Sequence, residues 1–269
     1  MKSDNCSGRF VELAAHRGNS KYFPENTLIA FESALKIPVD NLEFDVHMTR
    51  DKELILMHDH RIDRTTEGSG PVRSYSAKEI KLLDAGIWKG GEFKGTRIPL
   101  LSELLDMISD NHTITINVEL KDYPADDVEW AHESADRTIA MIEKYGIAQR
   151  CTINSWSGEL LEYVDAKFGH RYRLHGYYPL ELMGSNRTRD PYDYLYCICM
   201  FGTKEKPVCE KESFAYAASR GVQPWVYYPS DNTAFFDEAI LYGARLITSN
   251  DPQMTLGYLT AKGCRSAGV

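Results

Sequence analysis

The chain has 269 residues, 43% of them hydrophobic, and 39 acidic against 31 basic residues give a formal net charge of -8. That length buries a sizeable core in one large unit, and the negative balance argues against nucleic acid or an anionic membrane surface as a main partner. The six cysteines (Cys6, Cys151, Cys197, Cys199, Cys209, Cys264) form neither a Cys-x-x-Cys unit nor a zinc spacing. The first residues lack the apolar run of a signal peptide, and no segment approaches the roughly 18 apolar residues that span a bilayer. A cytoplasmic protein with reduced thiols and no stable membrane association is the expectation, with Cys197 and Cys199 buried on one strand face.

From Phe10 short apolar runs alternate with helical stretches. A first strand over 10–15 runs into His16-Arg17-Gly18. Pro24-Glu25-Asn26-Thr27 opens a helix in which Leu28, Phe31, Ala34 and Leu35 recur at helical spacing. A strand over 41–49 carries Glu43, Asp45 and His47 on one face by alternation. Residues 50–53 are too few for a crossover helix, so 54–58 folds back antiparallel. A turn centred between Asp51 and Lys52 sets Asp45 opposite His58. Residues 61–99 interrupt the rhythm with glycine-rich stretches and a short helix over 76–83. Their apolar content is too thin for a core of their own, so they read as an inserted lobe of a single 1–269 unit.

The rhythm resumes with helices over 101–109, 126–145 and 158–168, each alternating with a strand: 113–120, 151–154 and 172–178. Strands over 195–201, 222–228 and 245–248 follow, separated by helices over 211–220 and 235–242. Without the hairpin return the parallel strands number eight, the pattern of a TIM (β/α)8 barrel with a small insertion after the second strand. A doubly wound sheet is the runner-up, and no Gly-x-Gly-x-x-Gly follows the first strand to favour it.

In such a barrel the active site lies at the C-terminal ends of the strands. His16 and Arg17, Glu43 and Asp45, and Glu119 and Lys121 therefore converge. Three carboxylates at one opening repel unless a cation sits between them, and hard oxygen donors point to magnesium or calcium. The plainer alternative makes Glu43 and Glu119 ion-pair partners of Arg17 and Lys121. His16 and His58, flanking the carboxylates, are the candidate general acid and base. His47 is left to the rim, and the remaining histidines, His175 among them, lack such a setting. Arg17 and Lys121 suit phosphate oxygens, the first as a planar fork and the second as a point charge. Asn26 either donates to substrate or caps backbone groups. Trp225 is a weaker pocket candidate.

Together these residues resemble the glycerophosphodiester phosphodiesterase family. The likeness rests on His16-Arg17-Gly18, Pro24-Glu25-Asn26-Thr27, Glu43-Phe44-Asp45-Val46, His58-Asp59, Arg64-Thr65-Thr66, Pro99-Leu100-Leu101-Ser102-Glu103-Leu104 and Glu119-Leu120-Lys121. It is dense over 13–121 and returns at Trp225 and at Ile247-Thr248-Ser249-Asn250-Asp251-Pro252. The resemblance implies one divalent cation held by Glu43, Asp45 and Glu119, His16 and His58 as the acid/base pair, and Arg17 and Lys121 facing the phosphate. It implies cleavage of a glycerophosphodiester to glycerol 3-phosphate and an alcohol, by attack of the glycerol 2-hydroxyl through a cyclic intermediate or by water directly. The closing motif is one residue longer than the Thr-Asp-x-Pro of many relatives, which alters the pocket rim and leaves Asp251 without a catalytic role. Residues 179–191, with no family counterpart, fall to the alcohol side of the pocket.

Two rivals share the barrel. A phospholipase D-type enzyme acting on lysolipids needs exposed apolar docking loops, for which Phe235-Phe236 is the available patch. A catalytically silent phosphodiester-binding barrel should lack a histidine or a metal carboxylate, and all five positions are filled.

Overall fold

The computed structural model describes residues 10–229 and 232–265; the expectations placed on residues 1–9, the leader and Cys6, lie outside them. Strands Glu12–His16 (β1), Asn41–Met48 (β2), Leu54–Leu56 (β3), Thr115–Leu120 (β4), Cys151–Asn154 (β5), Arg173–Tyr178 (β6), Cys197–Met200 (β7), Gln223–Tyr227 (β8) and Leu246–Ser249 (β9) form one sheet. All but β3 are parallel, and the β1–β2 pairing closes them into an eight-stranded ring. This is the TIM barrel; an open doubly wound sheet is ruled out by the closure. Helices Leu28–Leu35 (α1), Ala77–Ile80 (α2), Leu101–Ile108 (α3), Val128–Lys144 (α4), Gly158–Lys167 (α5), Lys211–Ser219 (α6), Thr233–Tyr242 (α7) and Pro252–Ala261 (α8) complete the elements.

The alternation in β2 shows why the ring forms. Leu42, Phe44 and Val46 belong to the main apolar core, which Phe31 of α1 joins with its ring 6.0 Å from Phe44. Glu43 and Asp45, on the other parity, turn inward. Burial of the outer apolar set drives closure and leaves the polar set to line the barrel.

The hairpin departs from its expected register by one residue. Val46 pairs with Leu56, so Asp45 comes opposite Met57, not His58. The loop is Arg50-Asp51-Lys52, closed by Thr49 N–H to Glu53 O at 2.8 Å, and Lys52 takes φ 67°. A three-residue loop ending in a left-handed residue centres the turn on Asp51. The lower half of one β2 edge pairs with β1 (Asn41 to Glu43), and the upper half of that strand pairs with β3 (Val46 to Met48).

In the lobe over 61–99, α2 is shorter than expected and starts at a Ser76–Glu79 capping box. The lobe does gather an apolar cluster (Ile62, Val72, Ile80, Ala85, Ile98), but Ile55 and Met57 of the hairpin are part of it. α8 was not anticipated; Asp251 caps it by accepting from Met254 N–H at 2.9 Å, with Pro252 in its first turn. Phe236 is buried in the core, which removes it as a docking patch. Cys197 and Cys199 are buried free thiols, as are Cys151 and Cys209. Cys264 is disulfide-bonded, which weighs against a wholly reduced set. Among the described residues no helix is long and apolar enough to cross a membrane.

Candidate active site

Register brings the carboxylates together. Asp45 and Glu119 are direct neighbours on β2 and β4, and Glu43 lies two residues deeper on the same inner face. All three are buried, and one oxygen of each lies within 4.8 Å of the others. Asp45 Oδ2 accepts from Asn26 Nδ2 at 2.7 Å, and Glu43 Oε2 accepts from Arg17 N–H at 3.0 Å. Glu119 accepts from Lys121 Nζ at 2.8 Å and from the Tyr177 hydroxyl at 3.2 Å. Glu43 Oε1 and Asp45 Oδ1 have no hydrogen-bond partner.

Burial, then the charges of Asp45 and Glu119, raise the Glu43 carboxyl well above its ordinary range. Burial also opposes ionisation of Asp45, but Arg17 and Lys121 outweigh it and hold that group down. Three buried carboxylates with two unpartnered oxygens are a set that a cation would satisfy. Their all-oxygen chemistry fits a hard divalent ion.

His16 ends β1. Its Nε2 lies 3.8 Å from Glu43 Oε2, its Nδ1 is 2.5 Å from Asn250 Oδ1, and Tyr227 packs on the ring at 4.4 Å. Burial, then the Arg17 charge, push the imidazole down to about 3, so it stands neutral. His58 follows β3, with Nδ1 2.5 Å from Asp59 Oδ1. A carboxylate at Nδ1 keeps the proton there and leaves Nε2 as the exchanging nitrogen.

His16, Arg17, Glu43, His58 and Glu119 line one cavity of about 340 Å³ at the C-terminal end of the barrel. Trp156 stacks on Tyr177 at 3.9 Å and on Phe201 at 5.9 Å to form its apolar wall. His175, 3.1 Å from Asn117 Nδ2, lies deeper in the same cavity. A larger cavity, about 420 Å³, lies where the lobe meets α4 and is lined by His47, His60, Asp122 and Trp130. It contains none of the carboxylate trio, so the smaller one is the site. His47 is buried there against Asp122 at 2.8 Å. Leu182 and Met183 of the 179–191 segment line a third groove, of about 380 Å³, that shares Trp156 with the site.

Three sequence candidates sit differently from their expectation. Asn26 neither faces the cavity nor caps a helix: its amide donates to Asp45 Oδ2, and its carbonyl accepts from Asp45 N–H at 3.2 Å. Trp225 is one layer too deep, packed with Ala14, Cys197 and Leu246, its indole N–H donating to Gln223 at 3.2 Å. Tyr227, two residues nearer the strand end, lines the cavity instead. Lys121 is drawn into the carboxylates, 2.8 Å from Glu119 and 3.7 Å from Asp45. Asn250, Trp156, Phe201 and His175 were missed. Only Asn250 had a signal, as the extra residue of the closing motif.

The profile of the Glycerophosphoryl diester phosphodiesterase family matches residues 16–253. The chain belongs to this family. A glycerophosphodiester phosphodiesterase of Caldanaerobacter subterraneus subsp. tengcongensis is 40% identical over 149 residues, 54% of this chain and 58% of that protein. One of Bacillus subtilis is 36% identical over 144 residues, 50% and 46% of the two chains. The matches thus span about half the length of these relatives. Among solved structures, an Oleispira antarctica phosphodiesterase in complex with the product sn-glycerol-3-phosphate has a TM-score of 0.77 at 20% identity, covering 93% of this chain and 97% of that one. A glycerophosphodiester phosphodiesterase of Agrobacterium tumefaciens has a TM-score of 0.70 at 24% identity, covering 91% and 98%. At these identities the family members share the fold.

Proposed function

We propose that this family member hydrolyses glycerophosphodiesters to glycerol 3-phosphate and an alcohol, with one divalent cation, magnesium or calcium, held by Glu43, Asp45 and Glu119. The observation that carries this reading is the buried carboxylate trio, two of whose oxygens accept no hydrogen bond, with Glu43 and Glu119 lining one cavity beside two histidines. When bound, the cation supplies positive charge to the phosphoryl oxygens. Neutral His16 takes the proton of the attacking oxygen, either water or the glycerol 2-hydroxyl whose cyclic product water then opens, and His58, its Nδ1 held by Asp59, gives a proton to the departing alcohol oxygen. Arg17, which lines the cavity, faces the phosphate oxygens, and Lys121 adds its charge from behind the carboxylates. The stacked Trp156, Tyr177 and Phe201 wall excludes water from one side of the substrate. The 61–99 lobe is read as part of one 1–269 unit because its apolar cluster is shared with the hairpin. The cytoplasmic placing and the Cys264 disulfide oppose each other, and counting free thiols on protein from its native cell decides between them.

The test is release of glycerol 3-phosphate from glycerophosphocholine and glycerophosphoethanolamine, with EDTA and then with added magnesium or calcium. Metal-dependent release supports the proposal. Choline release from lysophosphatidylcholine alone would assign the lysolipid reaction. Metal binding with no turnover of any of the three would make this a silent barrel.

A further inference from the structure

Two motif residues, Glu25 and Arg64, take no part in the chemistry above, yet they stand between its halves. Arg64 reaches from the lobe to both oxygens of Asp59, Nε to Oδ2 at 2.7 Å and Nη2 to Oδ1 at 3.0 Å. The same guanidinium donates to both oxygens of Glu25, at 2.9 Å and 2.7 Å. Glu25 in turn accepts from Arg17 Nη1 at 2.9 Å, and Arg17 Nε lies 3.1 Å from Asp45 Oδ2. With Asp59 already on His58, the contacts run unbroken from the acid/base histidine to the carboxylate trio.

Only a planar guanidinium can grip two carboxylates at once; a lysine ammonium is a point charge and holds neither in orientation. The grip also shows in Asp59. Burial opposes its ionisation, but the bonds from Arg64 and His58 prevail and hold the carboxyl at about 2. The Arg64 side chain is itself 44% exposed. With Asp59 30% exposed, the Arg64–Asp59 pair adds little to global stability, and Glu25, 13% exposed, keeps Arg17 as a partner without Arg64, so orientation is what this network contributes.

We propose that Arg64 is a positioning residue: it fixes Asp59 behind His58 and Glu25 behind Arg17, so the inserted lobe sets where the acid/base histidine stands relative to the phosphate-facing arginine. This rests on the hydrolytic reading and on the role given there to His58, and His58→Ala, assayed alongside, tests that reading separately.

The experiment measures kcat, KM and thermal midpoint for Arg64→Gln, Arg64→Lys and Arg64→Ala, the last with and without added guanidinium. The expected result is a kcat lower by about 10- to 100-fold, the scale seen when groups orienting a functional residue are removed. KM and the midpoint stay near wild type, Arg64→Lys recovers little, and guanidinium restores part of the Arg64→Ala rate. Wild-type kcat in Arg64→Gln, with His58→Ala inactive, overturns the inference and leaves the hydrolytic reading standing. A loss that follows a fallen midpoint and ignores guanidinium overturns it in favour of a structural role. Full activity in His58→Ala overturns the inference together with the role given to His58, while hydrolysis itself stands.

Discussion

Replacing Glu43 by glutamine should make the metal-free protein more stable than metal-free wild type and remove most of the stability that the cation adds. Two carboxylate charges within 4.8 Å of each other repel by about 3 kcal/mol or more at an effective dielectric near 20. Glu43 faces two such charges, and the Arg17 N–H and the Arg17 cation offset part of that. Removing a poorly compensated buried charge is worth about 1 to 4 kcal/mol, or roughly 2 to 4 °C of midpoint per kcal/mol in a chain of this size.

The pH dependence has a fixed sign. Because the Glu43 carboxyl is raised in the folded, metal-free protein, the unfolded chain releases its proton first, and stability falls as pH rises through the ordinary glutamate range. The advantage of Glu43→Gln over wild type is therefore small near pH 4 and widest at alkaline pH. With the cation present at about 100 times its Kd, wild type gains about 2.7 kcal/mol, and the variant should lose most of that gain. Calorimetric melts in EDTA and in excess cation, at pH 4 and pH 8, read both effects. A metal-free variant melting below metal-free wild type at pH 8 would refute the strain argument. A full metal-induced gain in the variant would refute Glu43 as a ligand.

Asn26→Ala leaves the Asp45 carboxylate and its backbone N–H without their 2.7 Å and 3.2 Å partners; a loss of about 1 to 3 kcal/mol, with weaker cation binding by titration calorimetry, is expected. Gly18→Ala puts a Cβ 2.6 Å from the Ala30 carbonyl carbon at φ 80°, so the melt should drop by more than about 1 kcal/mol, and kcat should fall because Arg17 is next in the chain. Trp156→Ala should raise KM several-fold, about 1 kcal/mol of lost stacking, at unchanged cation affinity. Trp225→Ala should do the opposite, costing about 3 to 5 kcal/mol of stability while sparing the KM of the folded fraction.

The barrel was readable because its strands carry a period-two pattern and its helices a 3.6-residue one, and both survive in a single chain. The rule that active residues sit at strand C-termini then sufficed to gather His16, Glu43, Asp45 and Glu119 without any knowledge of the ring. What escaped was of two kinds. Register and depth turn on single residues: Lys52 in a left-handed conformation moved Asp45 opposite Met57, and one pleat separated buried Trp225 from cavity-lining Tyr227. Convergence from afar leaves little local trace. Trp156 meets Phe201 from another strand end, and Asn250, which reaches His16 across 234 positions, showed only as an extra residue of the closing motif. Asn26 shows a third limit, since helix-start chemistry explained it well enough to hide its hold on Asp45.

The shared edge of β2 gives this barrel a seam unlike its other joints. Below, three residue pairs tie β2 to β1; above, β1 has ended and β3 has taken its place. The lobe is therefore a leaf hung on a doorpost that also bears two of the three acidic residues. Such a leaf can be lengthened, trimmed or exchanged by insertion and deletion while the seven other joints keep their register. The route by which a lineage could vary what reaches the cavity thus passes beside the carboxylates without requiring any of them to move.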